Sequence, residues 1–349
     1  MGKFMLRVFI ALSAVPSVAI ASDLDVFGNM ILRYEHESQH NNLPDRERLR
    51  LIARLGLKGD INQHWSAQGR LSTGLKNKQN VPAITIAKFN TQPQPDNDVY
   101  VERLFMTGKF NLGKSSQAQL YIGKIPWQSK QVTDIFWDRN LHPIGVHLNY
   151  QFNEQHQLQF ASLKPLDGNS DVIGLMHIMQ WNMNYDFRGI KLRISPWLVD
   201  YHGQQGARYA KKDTELDNRS LRLSTSVNYK GYKLGVDVGH SLESFSQFDQ
   251  FNDQKTSLAV QFSQGTLKKM GNYAWHIRYL RVERFGVINE FAQNGTARFA
   301  TSNLQGVDIR LRRKMNHNWW LGARVSDIRT IKGKDEQGVR VRIEGQYQF

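Results

Sequence analysis

Apolar and polar positions alternate with a period of two along most of the chain. In the last segment Val339, Val341, Ile343, Gly345, Tyr347 and Phe349 fall on one side, and Gly338, Arg340, Arg342, Glu344, Gln346 and Gln348 on the other. Successive side chains of a β-strand point to opposite faces, so this spacing predicts a strand with one apolar and one polar side. Leu49, Leu51, Ala53, Leu55 and Leu57 alternate in the same way with Arg48, Arg50, Ile52, Arg54 and Lys58. The pattern returns from His64 to Thr73, from Ile144 to Phe152, from Leu221 to Tyr229 and from Tyr232 to Val238.

The connections come in two kinds. Lys58 to Gln63, Asn153 to His156 and Lys230-Gly231 read as short turns, whereas Lys76 to Asp98, His202 to Asp217 and Phe285 to Asn303 read as long polar loops. Short turns at one end and long loops at the other are the asymmetry of a transmembrane antiparallel β-barrel. At about 20 residues per strand and connection, the chain makes about 16 strands, an even number that can close. A soluble β-sandwich alternates too. The aromatic residues separate the two: Trp65, Tyr100, Tyr150, Tyr185, Tyr229, Tyr232, Tyr273, Trp319, Tyr347 and Phe349 sit near segment edges, as an interfacial girdle requires. The fold expected is therefore all-β, a single membrane barrel.

The first residues change the picture by adding a destination. Lys3 and Arg7 precede an apolar run from Val8 to Ile20, and Ala19-Ile20-Ala21 has the small-x-small form of a cleavage site. Residues 1–21 are expected to be a secretory signal peptide and residues 22–349 the barrel. The run falls short of the roughly 20 residues that span a bilayer as a helix. Mean hydropathy is −0.52, and no later stretch is apolar enough for a spanning helix; alternating strands average to such a value without difficulty. Cysteine is absent, which removes disulfides and thiolate chemistry together. The expected location is the outer membrane of a cell with two membranes.

The formal net charge is +15. A charge turned toward lipid at the bilayer midplane costs roughly 2 to 4 kcal/mol, so charged strand residues must face water. Arg48, Arg50, Arg54, Arg70, Arg222, Arg310, Arg312, Arg340 and Arg342 are then expected to line a lumen, against fewer acids such as Asp237, Asp308 and Glu344. Guanidinium groups suit carboxylate and phosphate oxygens, and a channel wall of one sign concentrates the opposite ion. Anions are the expected solutes, unless the arginines pair across strands or lie far from the narrow zone. Residues Pro126 to His142 form an irregular segment between two confident strands. Lys124 stands at its neck, and Lys130, Asp134, Trp137, Asp138 and Arg139 within it are candidates for a loop that folds inward and constricts the pore. The spread of positive charge, with no basic cluster, argues against nucleic acid as partner. Lipopolysaccharide phosphates are an expected partner for loop lysines such as Lys211 and Lys212.

Other motifs lead nowhere. Gly108 to Ser115 satisfies the phosphate-loop pattern, but Ala118, Leu120 and Ile122 alternate with polar residues after it, so a strand follows where a helix is needed. The eleven histidines lack metal-binding spacing; His64, His147 and His276 read as wall residues. No cofactor and no catalytic triad is expected. A barrel enzyme such as a phospholipase remains the rival class.

The terminal strand ending in Phe349 resembles the C-terminal signature of outer-membrane proteins, which implies recognition by the barrel assembly machinery. A second resemblance covers Tyr121 to Tyr150: Gly123-Lys124, Trp127, Phe136-Trp137-Asp138, Leu141, Pro143, Gly145 and Val146. This is similar to the "putative porin" family of gram-negative bacteria. It implies passive diffusion of small anionic or neutral solutes, with homotrimers as in other porins. A substrate-specific channel for sugars, phosphate or organic acids is the alternative.

Overall fold

A computed structural model describes residues 24–38, 44–74, 82–89, 98–113, 115–127, 129–165, 174–203, 217–248, 250–289, 291–292 and 301–349. The expected leader at 1–21 lies outside them, as do Lys211 and Lys212. The strands are β1 (Leu24–Ser38), β2 (Arg46–Asp60), β3 (Trp65–Gly74), β4 (Ile84–Lys88), β5 (Asp98–Asn111) and β6 (Gln117–Lys124). Next come β7 (Ile144–Gln151), β8 (His156–Lys164), β9 (Gly174–Phe187), β10 (Ile190–Gly203), β11 (Asn218–Tyr229) and β12 (Tyr232–Ser241). The last are β13 (Thr256–Gly265), β14 (Tyr273–Val282), β15 (Leu304–Lys314), β16 (Trp319–Thr330) and β17 (Gln337–Gln348).

These seventeen elements occupy sixteen positions around a closed antiparallel barrel. The apparent surplus is β4. Arg54 to Asp60 of β2 pair with Ser66 to Ser72 of β3, and Arg48 to Leu51 pair with Ile84 to Lys88. β3 and β4 therefore share one track along β2, interrupted by residues 75–83. Closure is made by β1, which pairs with β2 on one side and with β17 on the other, from Asn29↔Gln348 to Ser38↔Val339. Phe349 finishes the seam, its N–H donating to Gly28 O at 3.1 Å and its carbonyl accepting from Gly28 N at 3.0 Å. With the ring closed, the backbone groups of its paired strands need no water, which a lipid environment demands.

The alternation read from the sequence sorts as expected. Leu32, Leu55, Leu104, Leu221, Ile309 and Ile343 point outward and are 47, 51, 62, 53, 48 and 58% exposed. Such a continuous apolar belt is untenable in water and fits lipid. Trp65, Tyr150, Tyr185, Tyr229, Tyr232, Tyr273, Trp319, Tyr347 and Phe349 sit at the ends of their strands beside the short turns, and Trp319, Tyr347 and Phe349 pack as a row. Tyr100 departs from that expectation. It lies at the opposite end, between the outward Val99 and Val101, with its ring under the ammonium of Lys124. The Lys230-Gly231 turn takes φ of +49° and +85°, the doubly left-handed geometry that matches the twist of a tight hairpin. The phosphate-loop lookalike is the hairpin turn between β5 and β6.

Two strands break the period: β4 skips Ile86 opposite Leu49 and Arg50 of β2, and β5 skips a residue beside β3. Arg70 pairs with Arg103, but Leu71 pairs with Val101, so Glu102 is an extra residue in a β-bulge. It turns inward beside its neighbour Arg103 and is fully buried. A bulge re-aims a side chain; here it adds a carboxylate to the lumen.

Candidate functional site: the lumen and its inward loops

The segment between β6 and β7 leaves the wall at a neck of facing glycines, Gly123 and Gly145. A Cβ at Gly123, where φ is +122°, would lie 2.5 Å from Leu104 O, and one at Gly145 would lie 2.1 Å from Ser162 O. No other residue fits so close a backbone approach. From there the described residues 125–127 and 129–143 run inside the barrel. Ile125, Trp127, Thr133, Ile135, Phe136, Trp137, Asp138, Leu141 and His142 are all buried. The loop is held at several points. Lys130 N donates to Gln180 Oε1 of β9 at 3.0 Å, and Val132 N and Thr133 N donate to the Asp237 carboxylate of β12 at 3.0 and 2.6 Å. Arg54 reaches from β2 to Asn140 Oδ1 at 2.8 Å.

A second inward segment was not legible as such. Residues 285–303 read as a polar loop, yet Phe285, Val287, Ile288, Phe291 and Ala292 are buried. Phe291 packs against Trp137 and Tyr201, and its carbonyl accepts from Asp138 N at 2.6 Å. The signal available was the apolar spacing Phe285, Val287, Ile288, Phe291 within a segment otherwise rich in Asn and Gly.

The predicted arginines fall into three groups. Arg48, Arg50, Arg54, Arg70, Arg310, Arg340 and Arg342 face the lumen and bond to carboxylates. Glu35 is the hub, meeting Arg48 at 2.7 Å, Arg342 at 2.9 Å, Arg50 at 3.4 Å and Arg33 at 3.7 Å. Glu37 holds Arg46 and, at 3.4 Å, Arg340. Glu102 holds Arg70 and, at 2.8 Å, Arg54; Glu344 holds Arg310 and, at 2.9 Å, Arg33. Asp308 takes Arg324 at 2.6 Å and Arg278 at 3.2 Å, with His276 at 3.1 Å. Eleven arginines thus share five carboxylates among the described residues. Arg312 also faces inward; its guanidinium lies over Trp320, and no carboxylate bonds to it among the described residues. Arg222 is different again. It lies beneath the inward loop, stacked over Phe136 and Trp197, so it supports the loop rather than facing open lumen. Lys124 sits level with the outward Leu104 and Ile144 and donates to Val101 O at 2.6 Å.

Arg33, Glu35, Glu37, Glu102, Arg278 and Arg324 were missed by the sequence reading. Arg33, Glu35 and Glu37 stand at alternate positions of β1 between outward Leu32, Tyr34 and His36, so the same period two would have found them. Glu102 could not be found that way, because the bulge breaks the period.

On the loop, Asp134 and the exposed Arg139 pair at 2.9 Å. Burial would raise the Asp134 carboxyl, but Arg139, Arg278 and Arg324 together hold it below its usual range. Asp138 is pushed up to about 6 by burial and by the charge of Asp134, against hydrogen bonds from Asn140. Burial lowers the His142 imidazole to about 4. Lys130 is also lowered, by burial and by Arg193. Arg139 in turn senses Glu344, Arg310 and Arg312 across the opening. Asp134 therefore faces arginines of the wall, whereas Asp138 is buried within the loop. His147 stacks on Tyr121 and meets Trp127 edge-on, a wall residue and not part of a metal cluster; no such cluster occurs among the described residues.

Residues 18–173 match the model of the family described as "putative porin". No curated protein sequence matches the chain. Among solved structures, Pseudomonas putida OprB superposes with a TM-score of 0.56 at 9% identity, covering 93% of this chain and 94% of its own. Acinetobacter baumannii OccAB4 gives 0.54 at 11%, covering 94% and 99%. Pseudomonas aeruginosa OccK11 gives 0.51 at 12%, covering 95% and 97%. At these identities the likeness is one of fold. The stretch Tyr121 to Tyr150 lies inside the matched region, and the chain is an all-β, porin-type barrel that resembles the "putative porin" family.

Proposed function

We propose that this chain is an outer-membrane porin through which small hydrophilic solutes diffuse, with anions preferred over cations. The observation that carries the reading is the charge balance of the inward face, where arginines outnumber the carboxylates they share. Each carboxylate fixes two or more guanidinium groups in place without cancelling them. The wall keeps a net positive field, which a low-dielectric channel concentrates on the passing ion. Phe349 closes the seam and is the residue the assembly machinery is expected to recognise. The test is the reversal potential of the reconstituted protein across a KCl gradient. Chloride preference is the expected result; a cation-selective channel would sink the anion reading, and a barrel that does not conduct would sink the channel itself.

A second reading, a channel selective for one class of solute, is favoured by a specific feature. Asn149 and Gln157 present half-buried carboxamides on the inner faces of β7 and β8, next to the buried Gln159, Gln180 and Asn182. Uncharged donors and acceptors there, with guanidinium groups elsewhere on the wall, suit a solute with both a carboxylate and hydroxyl groups. Saturable block of the ionic current by such a solute supports it, and equal passage of chloride-sized and sugar-sized anions without block rejects it.

A further inference from the structure

Gly235, Asp237 and Gly239 are three successive inward positions of β12, and all three meet the loop. A Cβ on Gly235 would lie 2.4 Å from Val132 Cγ1, and one on Gly239 would lie 2.8 Å from the Phe136 ring. Both distances are impossible for a real side chain, so the two glycines leave the hollow that Val132 and Phe136 fill. Between them the buried Asp237 accepts from Val132 N at 3.0 Å and from Thr133 N and Oγ1, each at 2.6 Å. Those backbone donors belong to a segment with no strand partner, so without Asp237 they would be buried unpaired. Hydrogen bonds to a charged acceptor are stronger than neutral ones, and a buried donor left without a partner is destabilising.

We propose that Gly235, Asp237 and Gly239 form a seat that fixes the inward loop at one height and one distance from the arginine wall. Asp237 is its positioning residue, and through it β12 sets the width of the passage. The conductance part of the idea rests on the channel reading above, whereas the seat itself does not. The absence of native cysteine allows a clean test. A Cβ at 235 would lie 3.3 Å from Val132 Cβ, within about half an ångström of the mean separation across a disulfide. The paired variant Val132→Cys with Gly235→Cys is expected to oxidise spontaneously in native outer membranes. Asp237→Ala is expected to raise single-channel conductance about twofold, with added open-channel noise, because a freed loop no longer obstructs the lumen. Adding the cysteine pair to Asp237→Ala restores the wild-type value when oxidised and releases it again on reduction. Gly235→Val, which displaces Val132 sterically, reproduces the change if Asp237→Ala fails to assemble. The proposal is overturned if the folded barrel forms no 132–235 disulfide, or if conductance is unchanged in Asp237→Ala and Gly235→Val. A wild-type barrel that conducts nothing defeats the channel reading alone, since the cross-link still reports the seat.

Discussion

Two stretches of the same wall face the lumen with opposite solutions. From β14 through β17 and on to β3, the inward positions carry long arginines pinned by shared carboxylates. From β10 through β13 many inward positions are small, Ser195, Ser224, Ser226, Gly235, Gly239, Ser257 and Ala259, and the large ones among them, Trp197, Tyr201 and Arg222, lie buried against the inward segments. The first stretch fills the lumen with its own side chains. The second stays low so that a loop can lie on it. The opening is therefore displaced toward the arginines, and what a solute meets is a basic wall on one side and a loop bearing Asp134 and Asp138 on the other. The asymmetry needs no special fold; it follows from which residue types occupy every second position.

The strongest way to break the comparison is to remove the hub of the basic stretch. Glu35 is fully buried and bonds to Arg48, Arg50, Arg342 and Arg33. Glu35→Gln keeps the volume and leaves four guanidinium groups facing one another. Breaking a buried ion pair costs about 3 to 5 kcal/mol. The urea midpoint of the barrel in detergent should fall accordingly, whereas Ser224→Ala on the low stretch should scarcely move it. Equal losses would show that the arginine stretch is not held by its acids.

Selectivity should respond next. Arg310 and Arg312 face Arg139 of the loop across the opening, and of the two only Arg310 is bonded to a carboxylate among the described residues. Arg310→Glu with Arg312→Glu reverses two charges at the opening. At the effective dielectric of a protein surface a unit charge a few ångströms away is worth a few kcal/mol before screening. A three- to tenfold fall in the chloride-to-potassium permeability ratio is therefore a rough expectation. The same two changes made at Ser224 and Ser226, under the loop, should alter assembly more than selectivity.

Most of the architecture was legible because a barrel writes its period into every strand. The sixteen positions, the outward apolar belt, the girdle and the inward loop all follow from alternation and from the one irregular segment between two clear strands. What escaped has physical reasons. Tyr100 looked like a girdle residue because strand edges are visible in sequence but the end of the barrel they belong to is not. Arg222 has the same inward parity as Arg310, and only the loop above it distinguishes support from lining. Glu102 breaks the period it would be read by. Phe285 to Phe291 has no period, since a loop that packs inward obeys neither the strand nor the helix repeat.

The bulge offers a finer test. Without Glu102, the order Val99, Tyr100, Val101, Arg103, Leu104 alternates outward and inward with no interruption, so deleting that residue should leave the barrel closed. Arg54 and Arg70 would lose their carboxylate. A loss of about 1 to 3 kcal/mol in stability is expected, together with a stronger preference for anions. A deletion variant that fails to assemble would mean that the bulge shapes the wall and does more than deliver a charge.

The smallest effect expected belongs to the loop. Asp138 titrates near 6 in the folded protein, because burial and Asp134 both disfavour its charge. Its unfolded value lies near 3.9, so folding binds this proton more tightly, and the associated stability is present at low pH and lost as pH rises through about 6. The same titration adds a negative charge to the loop, beside Asp134 and Arg139. Anion preference should then be greater at pH 5 than at pH 7.5, by less than the arginine reversals produce, with its midpoint near the Asp138 value. Asp138→Asn should hold the channel at its low-pH selectivity across the range. Substitutions on the arginine wall should leave that midpoint close to where it was, because the two charges nearest to Asp138 in its own loop, Asp134 and Arg139, travel with it. A pH dependence that survives in Asp138→Asn would place the titrating group elsewhere and remove the loop's carboxylates from the account of selectivity.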